Sequence, residues 1–189
     1  MKRGPPDQIG GPACVSEYSW QNTRMLIRHA ADGDKSAIWA IMGPIIRAGE
    51  TYALPRDMDK ESALAYWLSA AHEVFVVEEG SATVGTYFLQ ANHQGGGAHV
   101  ANRGYMTAVT GPGRGVARAM CTHSLDRARE RGFRAMQFNF VISTNDRAVR
   151  LWQSFGFEIV GRLPGPSNIR HKDTSTYTSC ITISGDGTV

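Results

Sequence analysis

The stretch Pro112-Gly113-Arg114-Gly115-Val116-Ala117-Arg118 is where residue types and spacing first point to chemistry. Glycines let successive backbone N–H groups turn the same way and line a concavity that holds an anion. A helix leaving such a turn starts with N–H groups that have no intrahelical partner, and its dipole adds partial positive charge. Arg114 and Arg118 add full charges. The ligand these features suit is a diphosphate. A strand-to-helix turn that needs its glycines only for geometry would have the same composition. Two common phosphate loops do not fit. A P-loop ends in Gly-Lys-Ser/Thr, whereas Val116-Ala117-Arg118 follows the last glycine here. A dinucleotide fingerprint needs a different third glycine spacing from Gly111-Pro112-Gly113-Arg114-Gly115, and an acid at the next strand end, where Val141 stands.

The second group of interest is a set of amides. Asn139 and Gln137 share one face of a strand whose other face carries Met136, Phe138 and Phe140. Amides on a central strand must find partners or cost about 1–3 kcal/mol each. Asn102, on the strand candidate His99–Val109, carries the same two readings. An internal hydrogen bond or a bond to a substrate would satisfy either one. Asn145 reads as a helix N-cap. Trp67 lies on an apolar stripe, and Tyr52 and Tyr105 read as pocket lining or core. Cys121 falls beside a buried stripe and reads as packing. No cluster of histidines, cysteines and acids with metal-ligand spacing is read in the sequence, so no metal site is expected.

These groups need elements to hold them. Met25–Ile27 predicts a first strand. A helix follows, with Ile38, Ile41, Met42 and Ile45 on one face, and Gly43-Pro44 is expected to interrupt it. Asp59 caps a second helix with Leu64, Trp67, Leu68 and Ala71 on its stripe. Val74–Val77 and Thr83–Leu89 read as strands joined by a tight turn at Gly80-Ser81. Gly95-Gly96-Gly97 is a link, and His99–Val109 is the next strand. The glycine turn then opens a helix running to about Arg131, with Val116, Met120, Leu125 and Ala128 buried. Ala135–Val141, a short helix from Asn145 to Ser154, Phe157–Val160 and Thr174–Ile183 complete a mixed sheet with helices on its faces.

Composition bounds the class. The chain has 189 residues, with 42% hydrophobic and 20% charged, which is ordinary globular usage and one domain's length. Residues 1–22 read as a flexible leader, because Met1–Pro12 is rich in proline and glycine, and residues 23–189 as a single domain. A net charge of +3, with the basic residues dispersed, does not argue for nucleic acid. No run of roughly 18 apolar residues exists to span a membrane. Cys14, Cys121 and Cys180 are far apart and odd in number, which suits a reducing, cytoplasmic compartment.

Strand, Gly113–Arg118, helix, strand, and then Asn145 and Leu151-Trp152-Gln153-Ser154-Phe155-Gly156-Phe157 together resemble the GCN5-related N-acetyltransferase (GNAT) family. Gly115 and Ala117 match its pyrophosphate signature, and Pro112 stands where that signature begins with Gln or Arg. The blocks His99–Met106 and Phe138–Val141 are similar to a small-molecule subgroup that includes fungal enzymes acetylating proline analogues such as azetidine-2-carboxylate. The likeness covers about Met25 to Pro164, and the chain departs from it after Pro166. It implies an α/β (α+β) fold: a mixed, mostly antiparallel sheet of six to seven strands, with helices on both faces and a splayed central strand pair. It implies acetyl-CoA as cosubstrate, lying where the strands at His99–Val109 and Ala135–Val141 part. Tyr105, Met106 and Thr107 would pair with the pantetheine arm, Gly113 to Arg118 would hold the diphosphate, and Asn145 would meet the arm while capping its helix. Asn139 and Asn102 would bind the acceptor, and Glu50 would serve as base or amine anchor, with His99 a weaker candidate. Trp152 stands where family members often carry a tyrosine general acid. The function implied is direct acetyl transfer to a small, amino-acid-like amine. A protein N-terminal or lysine acetyltransferase and a non-catalytic coenzyme A-binding module remain alternatives, and a homodimer is left open.

Overall fold

The hydrophobic periods resolve into strands and helices in the computed structural model, which describes residues 16–20, 23–110, 113–142, 145–164 and 176–183. In chain order these are β1 (Ser16–Trp20), β2 (Thr23–His29), α1 (Lys35–Ala48), α2 (Lys60–Trp67), β3 (Glu73–Glu79), β4 (Ala82–Ala91), β5 (Val100–Thr107), α3 (Val116–Glu130), β6 (Ala135–Ile142), α4 (Asp146–Gln153), β7 (Glu158–Pro164) and β8 (Thr176–Ile183). One sheet contains all eight strands in the order β1-β2-β3-β4-β5-β6-β8-β7. Every neighbouring pair is antiparallel except β5–β6. That pair is parallel because α3 carries the chain back across the sheet before β6 begins, as a parallel connection requires.

Helices cover both faces. On one, α3 and Trp152 of α4 pack with Phe75, Tyr87, Ala101 and Met136. On the other, α1 and α2 pack with Val74, Val76, Phe88 and Met106. Local signals set several boundaries as expected. The Asp59 carboxylate caps α2 by accepting from the Ser62 N–H. Gly80 (φ 61°) makes the turn that pairs Glu79 with Ala82. Gly132 (φ 78°) follows the end of α3.

Two expectations change. The sheet gains a strand in the stretch read as leader, because Ser16–Trp20 pairs antiparallel with β2. The remainder of residues 1–22 lies outside the described residues. Gly43-Pro44 does not interrupt α1, which runs through Pro44 to Ala48. Proline removes the helical bond to the Ala40 carbonyl, but Ala40 and Pro44 both lie on the exposed side, where water can take that carbonyl. On the inner side Ile38, Ile41, Met42 and Ile46 are at most 4% exposed. Burial is worth about 1.5–3 kcal/mol for each, which outweighs the roughly 3 kcal/mol that an interior proline costs.

A buried polar relay ties α2 to the sheet. The Trp67 indole N–H donates to Thr86 Oγ at 3.0 Å, and that hydroxyl donates to the Phe75 carbonyl at 2.9 Å. Thr86→Val keeps the shape and strands both partners, so it is expected to lose about 1–3 kcal/mol. Urea unfolding would measure this, and a loss below about 0.5 kcal/mol would contradict it.

Candidate active site

Strands β5 and β6 pair only at Val100/Ala135, Ala101/Met136 and Asn102/Gln137. Beyond that point they part, as the splayed pair requires. The peptide groups along β5 follow from its bonds to β4. Ala108 N–H donates to the Val84 carbonyl at 2.9 Å, and Asn92 N–H to the Val100 carbonyl at 2.8 Å. With Tyr87 opposite Tyr105 and Thr86 opposite Met106, even-numbered residues of β5 bond to β4 and odd-numbered ones turn toward the gap. Tyr105 and Thr107 therefore direct their N–H groups at the gap, and Met106 directs its own at Thr86. The Tyr105 carbonyl is taken by the Tyr52 hydroxyl at 2.8 Å. Burial pushes the Tyr52 phenol well above its usual range.

The glycine turn sits where β5 runs into α3. Gly113 (φ 87°) and Gly115 (φ 81°) are left-handed, and Gly115 is the N-cap of α3 with no side-chain cap. The first helical bond runs from Ala119 N–H to the Gly115 carbonyl at 2.9 Å, so the N–H groups of Val116, Ala117 and Arg118 precede the helical ladder. The two arginines have protein partners. Arg114 pairs with Glu79 at the end of β3. Arg118 donates to Ser154 Oγ at 3.2 Å and lies 5.1 Å from the Phe155 ring centre, which ties α3 to the end of α4. Asn145 caps α4, its side-chain oxygen accepting from Ala148 N–H at 3.2 Å. Gly111 and Pro112 lie outside the described residues.

The amides come together around a residue that the sequence reading did not single out. The Asn92 Oδ1 accepts from Asn102 Nδ2 at 2.9 Å and from Asn139 Nδ2 at 2.9 Å. Asn92 Nδ2 donates to Gln137 Oε1 at 3.3 Å. The cluster therefore spans β4, β5 and β6 at the point where the gap opens. It lies on the α1–α2 face of β5. Asn102 alternates with Gly104, where an added Cβ would come within 2.9 Å of the Tyr52 hydroxyl. Sequence alone offered one clue to Asn92: an amide shortly after the apolar run that ends at Leu89.

Glu50 is not part of this group. It is exposed just past Gly49, which ends α1, and no hydrogen bond or ion pair joins it to the amides. His99 is also exposed, with Nδ1 at 2.9 Å from the Gly96 carbonyl.

The opposite face of the gap is aromatic. Trp152 is 6% exposed and stacks on Tyr105 and Phe138, with ring centres 5.1 and 4.7 Å apart. Tyr105 Oη meets Ser124 Oγ at 2.5 Å, away from the gap. Cys121 is fully buried, and desolvation pushes its thiol pKa up. Among the described residues, no group of His, Cys, Asp and Glu could hold a metal ion, and no helix is long and apolar enough to cross a membrane.

Known proteins share this fold. Residues 39–157 match the sequence model of the Acetyltransferase (GNAT) family. The chain is 28% identical over 78 residues to an N-acetyltransferase of Schizosaccharomyces pombe, a match covering 41% of this chain and 37% of that protein's length. A GCN5-related N-acetyltransferase structure from Kribbella flavida superposes with a TM-score of 0.80 at 34% identity, over 84% of this chain and 97% of that one. A putative acetyltransferase from Salmonella typhimurium, solved with its cofactor acetyl-CoA, shares the fold with a TM-score of 0.75 at 21% identity, over 87% and 96% of the two chains.

Proposed function

The chain belongs to the GNAT family of acetyltransferases, and on that premise we propose that it moves an acetyl group from acetyl-CoA directly to the amine of a small, amino-acid-like molecule. Acetyl-CoA supplies the activated acyl group, and the chain supplies binding and alignment. The residues present fit that cosubstrate. The N-terminus of α3 carries no side-chain cap, so its N–H groups are available to a diphosphate. Gly113, Gly115, Val116, Ala117 and Arg118 form the cradle. Arg114 contributes charge from its pair with Glu79, and Asn145 meets the pantetheine arm from the cap of α4. Of the residues first expected along that arm, Tyr105 and Thr107 carry the contact, and Met106 supports them from its bonds to β4. An N–H donor aimed at the charge developing on the thioester oxygen is worth about 3–4 kcal/mol.

The observation that carries the proposal is the parting of β5 and β6 immediately beyond Asn102/Gln137, with the amide cluster at the fork. The acceptor enters from the amide side and meets the thioester across the gap. Asn139 and Asn102 hold its polar groups, and Asn92 orients both. Glu50, exposed and outside the cluster, has no role as base in this reading, so the amine arrives neutral. Transfer is direct in this reading, and the burial of Cys121, which pushes its thiol pKa up, supports it by removing that residue as a nucleophile. The likeness of the blocks His99–Met106 and Phe138–Val141 to the proline-analogue subgroup supports an acceptor of that kind, and three cysteines far apart and odd in number suit a cytoplasmic location.

Calorimetry with coenzyme A tests the first half, and absence of binding would end the proposal. A thermal-shift screen of amino acids and polyamines in saturating acetyl-CoA, followed by coenzyme A release assays, tests the second. Initial-rate patterns should intersect; a ping-pong pattern would refute direct transfer. Asn92→Ala and Asn139→Ala are each expected to raise the acceptor's KM about tenfold, one lost hydrogen bond of about 1.4 kcal/mol, with coenzyme A affinity unchanged. A fall in Tm with unchanged KM would assign the amides to stability alone.

A further inference from the structure

Arg103 is the first residue of β5 beyond the last paired position, and it is 3% exposed. Its guanidinium lies among rings, 4.7 Å from the centre of Phe138, 4.8 Å from Phe157, 4.9 Å from Tyr105 and 5.7 Å from Trp152. Its polar contacts are all neutral. Nη1 donates to Ser124 Oγ at 2.8 Å, Nη2 lies 3.6 Å from Cys121 Sγ, and Nε has no partner among the described residues. None of the ion pairs among the described residues includes it. Among the described residues, the titratable groups that face it are Cys121 on α3 and Tyr105 on β5, and burial pushes both up, so both are uncharged at neutral pH.

A buried cation without a counter-charge is expensive, and arginine does not escape by losing its proton. Four aromatic faces recover part of that cost. The charge itself has no counter-charge among the described residues, and the residue that carries it stands where β5 and β6 part. We propose that Arg103 is the electrostatic partner of the leaving thiolate, and that it replaces the proton donor that Trp152 cannot be. The inference rests on the proposed acetyl transfer from acetyl-CoA alongside Tyr105 and Thr107.

In that transfer the amine lone pair forms the C–N bond. The C–S bond breaks, its electron pair leaves on sulfur, and the surplus amine proton passes to water. Negative charge therefore appears on a sulfur beside β5. For a sulfur about 7 Å from the guanidinium and an effective dielectric near 20, one positive charge shifts a thiol–thiolate equilibrium by roughly tenfold to a hundredfold. Such a field lets sulfur depart unprotonated and needs no acid on α4.

The test is the titration of coenzyme A bound to the protein. It is followed by thiolate ultraviolet absorbance, with the desulfo-coenzyme A complex as the blank. The bound thiol should ionise at a pH one to two units below that of free coenzyme A. Arg103→Lys should keep this behaviour. Arg103→Met should return the thiol to its free value or above, with the affinity for desulfo-coenzyme A changed less than about threefold, since that ligand has no sulfur to sense the charge. A wild-type complex whose thiol ionises at or above the free value overturns the inference even if Arg103→Met fails to fold. Equal titration of the wild type and Arg103→Met does the same. Absence of coenzyme A binding would overturn the proposed function as well, whereas binding with an unshifted thiol overturns only this inference.

Discussion

Replacing Gly115 with valine is expected to weaken coenzyme A binding by about two orders of magnitude. Two costs combine. Gly115 sits at φ 81° and ψ 1° as the N-cap of α3. An L-residue in that left-handed region pays roughly 1–2 kcal/mol, and a β-branched one pays more. Relief of the strain would rotate the first N–H groups of α3 away from a common focus, and each hydrogen bond lost to a charged oxygen is worth about 1.5–3 kcal/mol. A total near 3 kcal/mol is about 100-fold in Kd. Gly132 is the control. It has φ 78°, lies at the other end of α3, and an added Cβ there would meet nothing within 4 Å. Gly132→Val should therefore lose a similar 1–2 kcal/mol of stability while binding coenzyme A like the wild type. Calorimetric titration of both variants decides the matter. If Gly115→Val binds normally, or if Gly132→Val weakens binding equally, the N-terminus of α3 is not the diphosphate cradle.

That contrast also marks what the sequence could disclose. Features written within a few residues were legible: the glycine turn into α3, the Asp59 and Asn145 caps, and the two-residue turn at Gly80. Features that depend on which strands become neighbours were not. Asn92, Asn102 and Asn139 meet only because β4, β5 and β6 are adjacent in that register, and α3 intervenes before Asn139. Arg114 reads as a free cation in the sequence and pairs with Glu79 only because the end of β3 approaches the turn. Pro44 reads as a break because local chemistry disfavours it, and the buried isoleucines of α1 override that preference. Arg103 has no local mark in the sequence, since an arginine in a strand usually faces water. Its burial follows from Phe138 on β6, Trp152 on α4 and Phe157 just before β7 converging on it beside Tyr105 of its own strand.

The fold is expected to lose about 2–3 kcal/mol between pH 7.5 and pH 4.5 through one side chain, His123. This residue lies on the inner face of α3, is 3% exposed, and has Nδ1 in a very short contact with the Tyr87 hydroxyl. The Phe75 ring packs edge-on, 4.9 Å away. Burial is the main cause that pushes its pKa down to about 4; Glu130 and Asp126 oppose that, while His29 and Arg127 reinforce it. In the unfolded chain the ring titrates near its ordinary value of about 6.5. Between those two values the unfolded state binds more protons, so stability is full above about pH 6.5, falls as the pH drops, and levels off below about 4. A neutral Nδ1 can accept the Tyr87 proton, whereas an imidazolium N–H must donate to the Tyr87 oxygen, so charging reverses that contact between α3 and β4. Burial lowers the pKa of His29 and His72 as well, so the difference between two proteins is the informative quantity. His123→Gln removes the titration. Denaturant unfolding at the two pH values should show the wild type losing about 2–3 kcal/mol more than this variant. Equal losses would place the acid sensitivity in another residue. Because α3 carries the cradle at its N-terminus, coenzyme A affinity at pH 4.5 should fall in the wild type by more than in His123→Gln.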